Sequence, residues 1–87
     1  MRVILTAKAE KQLRRLPKFE QLIIARKIRW LGSQIFLGEE KLKGTVGAYR
    51  VRVGDYRIVY RKTKQVIYVV LIGHRREIYR MWQNWVS

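Results

Sequence analysis

Arginines are spaced two or four positions apart along two neighbouring segments of this 87-residue chain. Arg50 and Arg52 alternate with apolar residues in the first segment, and Arg57 and Arg61 belong to the second. Side chains two apart on a β-strand share one face, so the spacing predicts four arginines on one face of a sheet. Like charges on paired strands repel, whereas arginine binds phosphate bidentately. The pattern favours a surface that binds RNA or DNA; a solvated basic face is the alternative.

A second group of reactive side chains lies in the segment 73–80, which includes His74, Arg75 and Tyr79. Such residues can cut RNA without metal, through attack of the 2′-hydroxyl on the adjacent phosphorus. That reaction needs cations around the phosphorane, a proton acceptor for the hydroxyl and a donor for the leaving oxygen. The segment alone does not decide the point, because a histidine at a strand end or a packed tyrosine is also an ordinary structural residue.

The charge of the chain indicates an anionic partner. Twenty Lys and Arg residues stand against six Asp and Glu, for a formal net charge of +14. Nucleic acid, an acidic membrane surface and an acidic protein are the candidates. Cysteine is absent, which excludes disulfides and thiol chemistry. The longest apolar run, 66–72, is too short to cross a membrane, and the N-terminus lacks a signal-peptide pattern. We therefore expect a cytoplasmic protein with no membrane partner.

The first half of the chain has helical periodicity. Arg2–Leu5 is a short β-branched strand, and Thr6 offers an N-cap for the helix that follows. Pro17 ends that helix and begins a second one, which we expect to run over 18–37 with Gly38 as its C-cap. Two helices joined at a proline predict an antiparallel helical hairpin.

The second half has the two-residue period of strands. Segments 49–53, 56–61 and 66–72 predict a three-stranded antiparallel meander with a tight turn at Gly54-Asp55 and its last strand ending at Gly73. A short C-terminal helix is expected within 75–85. The predicted fold class is α+β, as one domain over 1–87 with the helices on one face of the sheet.

Three segments, 41–44, 49–60 and 73–79, resemble the RelE family of the RelE/ParE toxin superfamily. The resemblance runs over the whole chain and rests on the Gly54-Asp55-Tyr56-Arg57 strand together with the terminal segment that begins at His74. It implies a RelE-like fold and the toxin of a type II toxin–antitoxin pair. Members enter the ribosomal A site and cut the messenger there as endoribonucleases, with no metal and no cofactor, which inhibits translation.

The resemblance also implies roles for single residues. Arg57 matches the arginine that stabilises the scissile phosphate, Arg75 has a similar charge role, and Tyr79 stacks on or orients the nucleotide beside the cut. Arg50 and Arg52 match positions that are lysine in the best-known member. A lysine can act as a base, whereas arginine stays charged.

This departure leaves the proton acceptor open. His74 is the expected substitute, because histidine as a residue type can exchange a proton near neutral pH and related toxins use a C-terminal histidine; a structural or RNA-contact role is the alternative. The remaining basic residues expected to bind RNA are Lys41, Lys43, Arg61, Arg76 and Arg80.

The resemblance further implies an acidic antitoxin, encoded next to this chain, that covers the arginine face or displaces the terminal helix. The ribosome with its messenger is the expected target, and operator DNA is bound only through the antitoxin. Two other functions stay open at this point. One is a ParE-like toxin that poisons DNA gyrase without cutting RNA, and the other is a non-toxic RNA-binding module, since one fold serves several functions.

Overall fold

The structure of the protein is a computed structural model that describes residues 1–33, 39–42, 44 and 47–86. The strands are β1 (Arg2–Leu5), β2 (Glu40–Lys41), β3 (Ala48–Val53), β4 (Tyr56–Lys62) and β5 (Val66–His74). The helices are α1 (Ala7–Arg14), α2 (Lys18–Leu31) and α3 (Ile78–Val86). No helix of the described residues is both long and apolar enough to cross a membrane.

The strands form one sheet in the order β1-β5-β4-β3-β2. β3, β4 and β5 are antiparallel neighbours, which confirms the predicted meander. β1 pairs with β5 in parallel and makes β5 an interior strand. β2 pairs with β3 at the opposite edge, and the sequence did not predict it because it has only two residues, both charged.

The helical hairpin forms as predicted at its beginning but ends earlier. The Thr6 hydroxyl accepts a hydrogen bond from the Ala9 amide at 3.2 Å, which confirms the N-cap of α1. The expected helix over 18–37 is too long, since α2 ends at Leu31. The amides of Gly32 and Ser33 bond carbonyls three residues back, so the chain tightens into a turn there. The expected C-cap, Gly38, lies outside the described residues.

The apolar stripes of α1 and α2 pack on one face of the sheet. Ile24 and Leu31 of α2 are fully buried against residues such as Val51 and Ile58. These strand positions alternate with the arginines of β3 and β4. Burial of the apolar positions on this face therefore directs those arginines to the other face.

The expectation that all helices lie on one face of the sheet is wrong. Ile78 and Trp82 of α3 pack on the opposite face, against a second apolar cluster that includes Ala48, Val59 and Leu71. Ala48 and Val59 lie on the same face of the sheet as the arginines and give α3 an apolar area to bury. Gly73 does not end β5, which continues to His74. A Cβ on Gly73 would lie 2.8 Å from Met81 Cε, so the glycine allows α3 to pack closely on the strand.

Candidate active site

Strand register brings the predicted arginines onto one face. Arg52 is the direct cross-strand partner of Arg57, and Arg50 stands opposite Val59 on the same face. Arg61, opposite Ala48, lies on that face as well, farther along β4. The prediction of a shared arginine face is thus confirmed, and α3 packs on the apolar residues that separate Arg61 from the other three.

Three of these arginines surround a small cavity of about 120 Å³, which we call the arginine cleft. Its walls come from β2, β3, β4, the segment after β5, and α3. The residues that line it are Glu40, Arg50, Arg52, Arg57, Arg75 and Tyr79. Residues far apart in the chain thus form a pocket that is strongly cationic and has one aromatic side chain and one carboxylate.

Arg57 is held firmly in this cleft. Its Nη1 donates to the carbonyl oxygens of Gly54 at 3.0 Å and Tyr56 at 2.9 Å. Burial, followed by repulsion from Arg52 and from other arginines of the cleft, lowers the pKa of Arg57 below its ordinary value. A guanidinium still carries its proton at neutral pH, so Arg57 is a fixed cation whose charge only Glu40 offsets within the cleft.

Arg75 and Tyr79 reach the cleft because the segment after β5 is tied to the β3–β4 turn. The Arg75 amide donates to the Asp55 carbonyl at 2.7 Å, and Arg75 Nε lies 3.6 Å from Asp55 Oδ1. Tyr79 lies in the first turn of α3 and leaves about half of its surface exposed. The guanidinium of Arg50 lies 4.7 Å from the centre of the Tyr79 ring, within the range of a cation–π contact.

Glu40 is the residue of the cleft that the sequence reasoning missed. Its Oε2 accepts hydrogen bonds from Arg50 Nη2 at 2.6 Å and Arg50 Nε at 3.2 Å. The Arg50 hydrogen bond, followed by the Arg50 charge, lowers the pKa of Glu40 below its ordinary value. Oε1 has no hydrogen-bond partner among the described residues. An available signal was the Glu39-Glu40 pair, which places two acids together in a strongly basic chain, just before the motif at 41–44.

His74 does not join the arginine cleft. It pairs with Tyr56 across the sheet, and its ring lies edge-on to the Tyr56 ring at 5.7 Å. Tyr56 packs with the core under α1 and α2, so His74 lies on the face opposite the arginines. Its Nδ1 accepts a hydrogen bond from the Arg76 amide at 3.2 Å. The contacts that hold the His74 ring therefore come from Tyr56 of β4 and from the Arg76 amide, and not from residues of the arginine cleft.

The other described basic residues that were predicted to bind RNA do not line the arginine cleft. Lys41 borders a larger neighbouring cavity of about 350 Å³, which also has Tyr79 and Trp82 in its wall. Arg76 and Arg80 are exposed, and Lys43 lies outside the described residues. Among the described residues, no three His, Asp or Glu side chains come close enough to hold a metal ion together.

Comparison with known proteins identifies what this chain is similar to. The family model of the ParE toxin of the type II toxin–antitoxin system parDE matches residues 3–79. No curated protein sequence matches the chain.

Solved toxin structures have the same fold. The archaeal RelE–RelB complex from Pyrococcus horikoshii OT3 is 28% identical over 85% of this chain and 93% of that chain, with a TM-score of 0.74. The RelB–RelE complex from Methanococcus jannaschii is 26% identical over 87% and 94%, with a TM-score of 0.73. The isolated Escherichia coli RelE toxin is 24% identical over 99% and 98%, with a TM-score of 0.70. The predicted RelE-like α+β fold is confirmed.

Proposed function

We propose, from the premise that this chain belongs to the ParE toxin family and is a toxin of a type II toxin–antitoxin system, that it cuts messenger RNA in the ribosomal A site. The observation that carries the proposal is the arginine cleft, where four arginines, an exposed tyrosine and a carboxylate meet around one cavity. Arginines can bind the phosphate of a nucleotide, and the exposed tyrosine ring can stack on the nucleobase beside that phosphate. The ribosome as target places the toxin's action in the cytoplasm.

The arginines of the cleft bind the scissile phosphate. In the reaction, a bond forms between the 2′-oxygen and phosphorus, and the bond from phosphorus to the 5′-oxygen breaks. The products are a 2′,3′-cyclic phosphate and a free 5′-hydroxyl. Arg57, Arg52 and Arg75 offset the extra negative charge of the phosphorane, and Arg57 is held in place by its two carbonyl acceptors before substrate binds.

Glu40 accepts the proton of the attacking 2′-hydroxyl. Among the residues that line the cleft it has the only carboxylate, and arginine cannot act as a base at neutral pH. Arg50 orients the carboxylate through Oε2, which leaves Oε1 to receive the proton. A structural surface ion pair is the alternative role of this contact, whereas the position of Glu40 in the wall of the cleft also brings its carboxylate close to the arginines that would bind the phosphate. Glu40 is ionised at neutral pH, and its lowered pKa makes it a weaker base than an ordinary glutamate.

Tyr79 positions the nucleotide beside the cut and carries the only hydroxyl among the lining residues. Its exposed ring offers a stacking surface for a base, and the hydroxyl is a proton donor for the leaving 5′-oxygen. His74 is less suited to either transfer, because its ring lies on the opposite face of the sheet.

Purified 70S ribosomes with a defined messenger, a filled P site and an empty A site test the proposal. New messenger ends are mapped by primer extension, with naked RNA as the substrate control. We expect cuts confined to the A-site codon, lost in Arg57→Ala and Tyr79→Ala. Arg29→Ala removes an exposed arginine from α2, far in sequence from the cleft, and should cut normally. A folded, growth-arresting protein that makes no cuts contradicts the proposal.

The second candidate function is ParE-like poisoning of DNA gyrase, and the match to the ParE toxin model favours it. The arginine cleft combines a proton acceptor, a ring for stacking and several arginines around one small cavity, and gyrase poisoning does not require this combination. A supercoiling assay with purified gyrase separates the two functions. Arg57 and Glu40 have assigned roles only in RNA cleavage, so Arg57→Ala and Glu40→Gln should leave gyrase poisoning unchanged.

We also propose an acidic antitoxin as the partner. The solved relatives from the two archaea are complexes of a toxin with its antitoxin, and a chain of net charge +14 suits an acidic ligand. Such a partner would inhibit by covering the arginine cleft or by moving α3, which carries Tyr79. Protection of the Arg57 and Tyr79 amides from hydrogen exchange in the complex tests this, and an unchanged cleft in an inhibited complex contradicts it.

A further inference from the structure

A second cavity lies on the arginine face of the sheet, at the end of β4 away from the arginine cleft. Its volume is about 390 Å³, several times that of the cleft. Thr6 from the β1–α1 junction, Tyr68 and Val70 from β5, and the end of β4 from Arg61 to Thr63 form its wall. We call it the Tyr68 cavity.

Tyr68 and Arg61 are direct cross-strand partners, so a ring and a guanidinium stand side by side on this face. Tyr68 leaves 39% of its surface exposed, which is unusual for a tyrosine in an interior strand. The neighbouring Lys62 also lines the cavity. Its Nζ bonds Glu39 at 2.7 Å and lies 4.2 Å from the centre of the Tyr49 ring, which packs with the core under α1 and α2.

We propose that the Tyr68 cavity is a second nucleotide subsite, which takes a base on Tyr68 and the adjoining phosphate on Arg61. This inference rests on the proposed RNA cleavage and deepens it. Arg61 is four residues from Arg57 on one strand, about 13 Å away at 3.3 Å per residue. Both sites therefore lie on the same face of the sheet, on either side of the apolar residues that α3 covers.

An aromatic ring beside an arginine on an open sheet face is typical of single-strand recognition, since every base has a face that can stack. An acidic peptide would use Arg61 but would not need the exposed ring. The apolar walls supplied by Val70 and Tyr68 also suit a base better than a carboxylate. RNA is therefore the occupant that the observations favour.

The test uses the full chain and amide NMR, with adenosine monophosphate, adenosine, inorganic phosphate and an oligoglutamate peptide as separate probes. Adenosine monophosphate should give saturable shifts at Tyr68 and Thr63, kept in Tyr68→Phe and lost in Tyr68→Ala. Three results would each overturn the proposal. Phosphate alone could give the same shifts as adenosine monophosphate, oligoglutamate could give larger shifts than adenosine monophosphate, or no probe could shift these residues.

A 2′-O-methyl RNA octamer, which cannot be cut, gives the second measurement. Tyr68→Ala should weaken its binding about 5- to 150-fold, the loss expected for one stacked base. Arg29→Gln is the matched charge control for Arg61→Gln, and equal losses in those two variants would contradict a site at Arg61. These readouts do not require cleavage. If the wild-type protein cuts messenger on the ribosome but shows no binding in these two measurements, only the subsite is overturned. If it binds in these measurements but never cuts messenger, only the proposed nuclease activity is overturned.

Discussion

Arg52 and Arg57 stand directly opposite each other on β3 and β4, so two like charges occupy one cross-strand pair. Such a pair opposes folding. Among the described residues that line the cleft, Glu40 is the acid that partly offsets it. Repulsion from Arg52 also contributes to the lowered pKa of Arg57. The pair makes physical sense if an anion binds between the two guanidinium groups, which is the role that the proposed function gives them.

Arg52→Gln is expected to stabilise the free protein by about 0.2–1 kcal/mol, because it removes a like-charge cross-strand pair. The gain should shrink as salt rises, since salt screens the repulsion that it relieves. Urea unfolding at low and high salt measures both effects, with Arg26→Gln, at an exposed position in the middle of α2, as the control for net charge alone. A variant that is no more stable than the control at low salt would show that the pair carries no strain. Its messenger cleavage should fall despite the higher stability.

Glu40→Gln tests the proton acceptor. The amide keeps the shape and can still accept from Arg50, but it cannot take a proton, so we expect cleavage to fall about 10²- to 10⁴-fold. Single-turnover cleavage on ribosomes measures the loss. Glu10→Gln is the matched control, because Glu10 also pairs with an arginine, Arg14, but on the exposed side of α1. Cleavage by Glu40→Gln at the wild-type rate would remove Glu40 from the mechanism.

The Glu40 and Arg50 pair should give a measurable pH dependence. Because the folded pKa of Glu40 is below its ordinary 4.5, the pair contributes stability above that pH and loses it as the pH falls through the folded pKa. NMR titration of the Glu40 carboxyl should therefore give a lowered pKa in the wild type that rises towards 4.5 in Arg50→Gln. An unchanged Glu40 pKa in that variant would contradict the assigned cause.

Tyr60→Phe is expected to destabilise the protein by about 1.5–3 kcal/mol, the range for a hydrogen bond to a charged group. Tyr60 is fully buried and donates its hydroxyl to Glu39, whose other oxygen lies 2.7 Å from Lys62 Nζ. Tyr49→Phe is the matched control, because its ring stacks on Tyr60 at 6.0 Å but its hydroxyl has no hydrogen bond among the described residues. Equal losses in the two variants would assign the effect to the rings and not to Glu39.

The same tyrosine predicts sensitivity to alkali. Burial, followed by the hydrogen bond to Glu39, raises the pKa of Tyr60 above its ordinary 10.0. Its contribution to stability is therefore present below pH 10 and is lost as the pH rises above that value. Absorbance of the phenolate should show one tyrosine that titrates only as the protein unfolds, and this late step should vanish in Tyr60→Phe.

Local patterns predicted most of the elements and a large part of the cleft. The alternation of Arg50 and Arg52 with apolar residues fixes which side chains share a face, because strand periodicity is local. The cap at Thr6 follows from its hydroxyl in the same way. The end of α2 and the position of α3 were wrong, because both depend on what each helix packs against. β2 was missed because two charged residues have no periodicity.

The sequence by itself determined the charge of this protein, its order of elements apart from β2, and the face on which its arginines lie, because composition and side-chain alternation are properties of neighbouring residues. Tertiary structure alone decided which distant residues join those arginines. Pairing of β2 with β3 brought Glu40 to Arg50, and the Asp55 contact to Arg75 brought Tyr79 into reach. It also placed the His74 ring on the face opposite the arginines, since β5 continues one residue past Gly73 and pairs His74 with Tyr56. Strand register between distant segments is set by long-range packing, which local spacing does not specify.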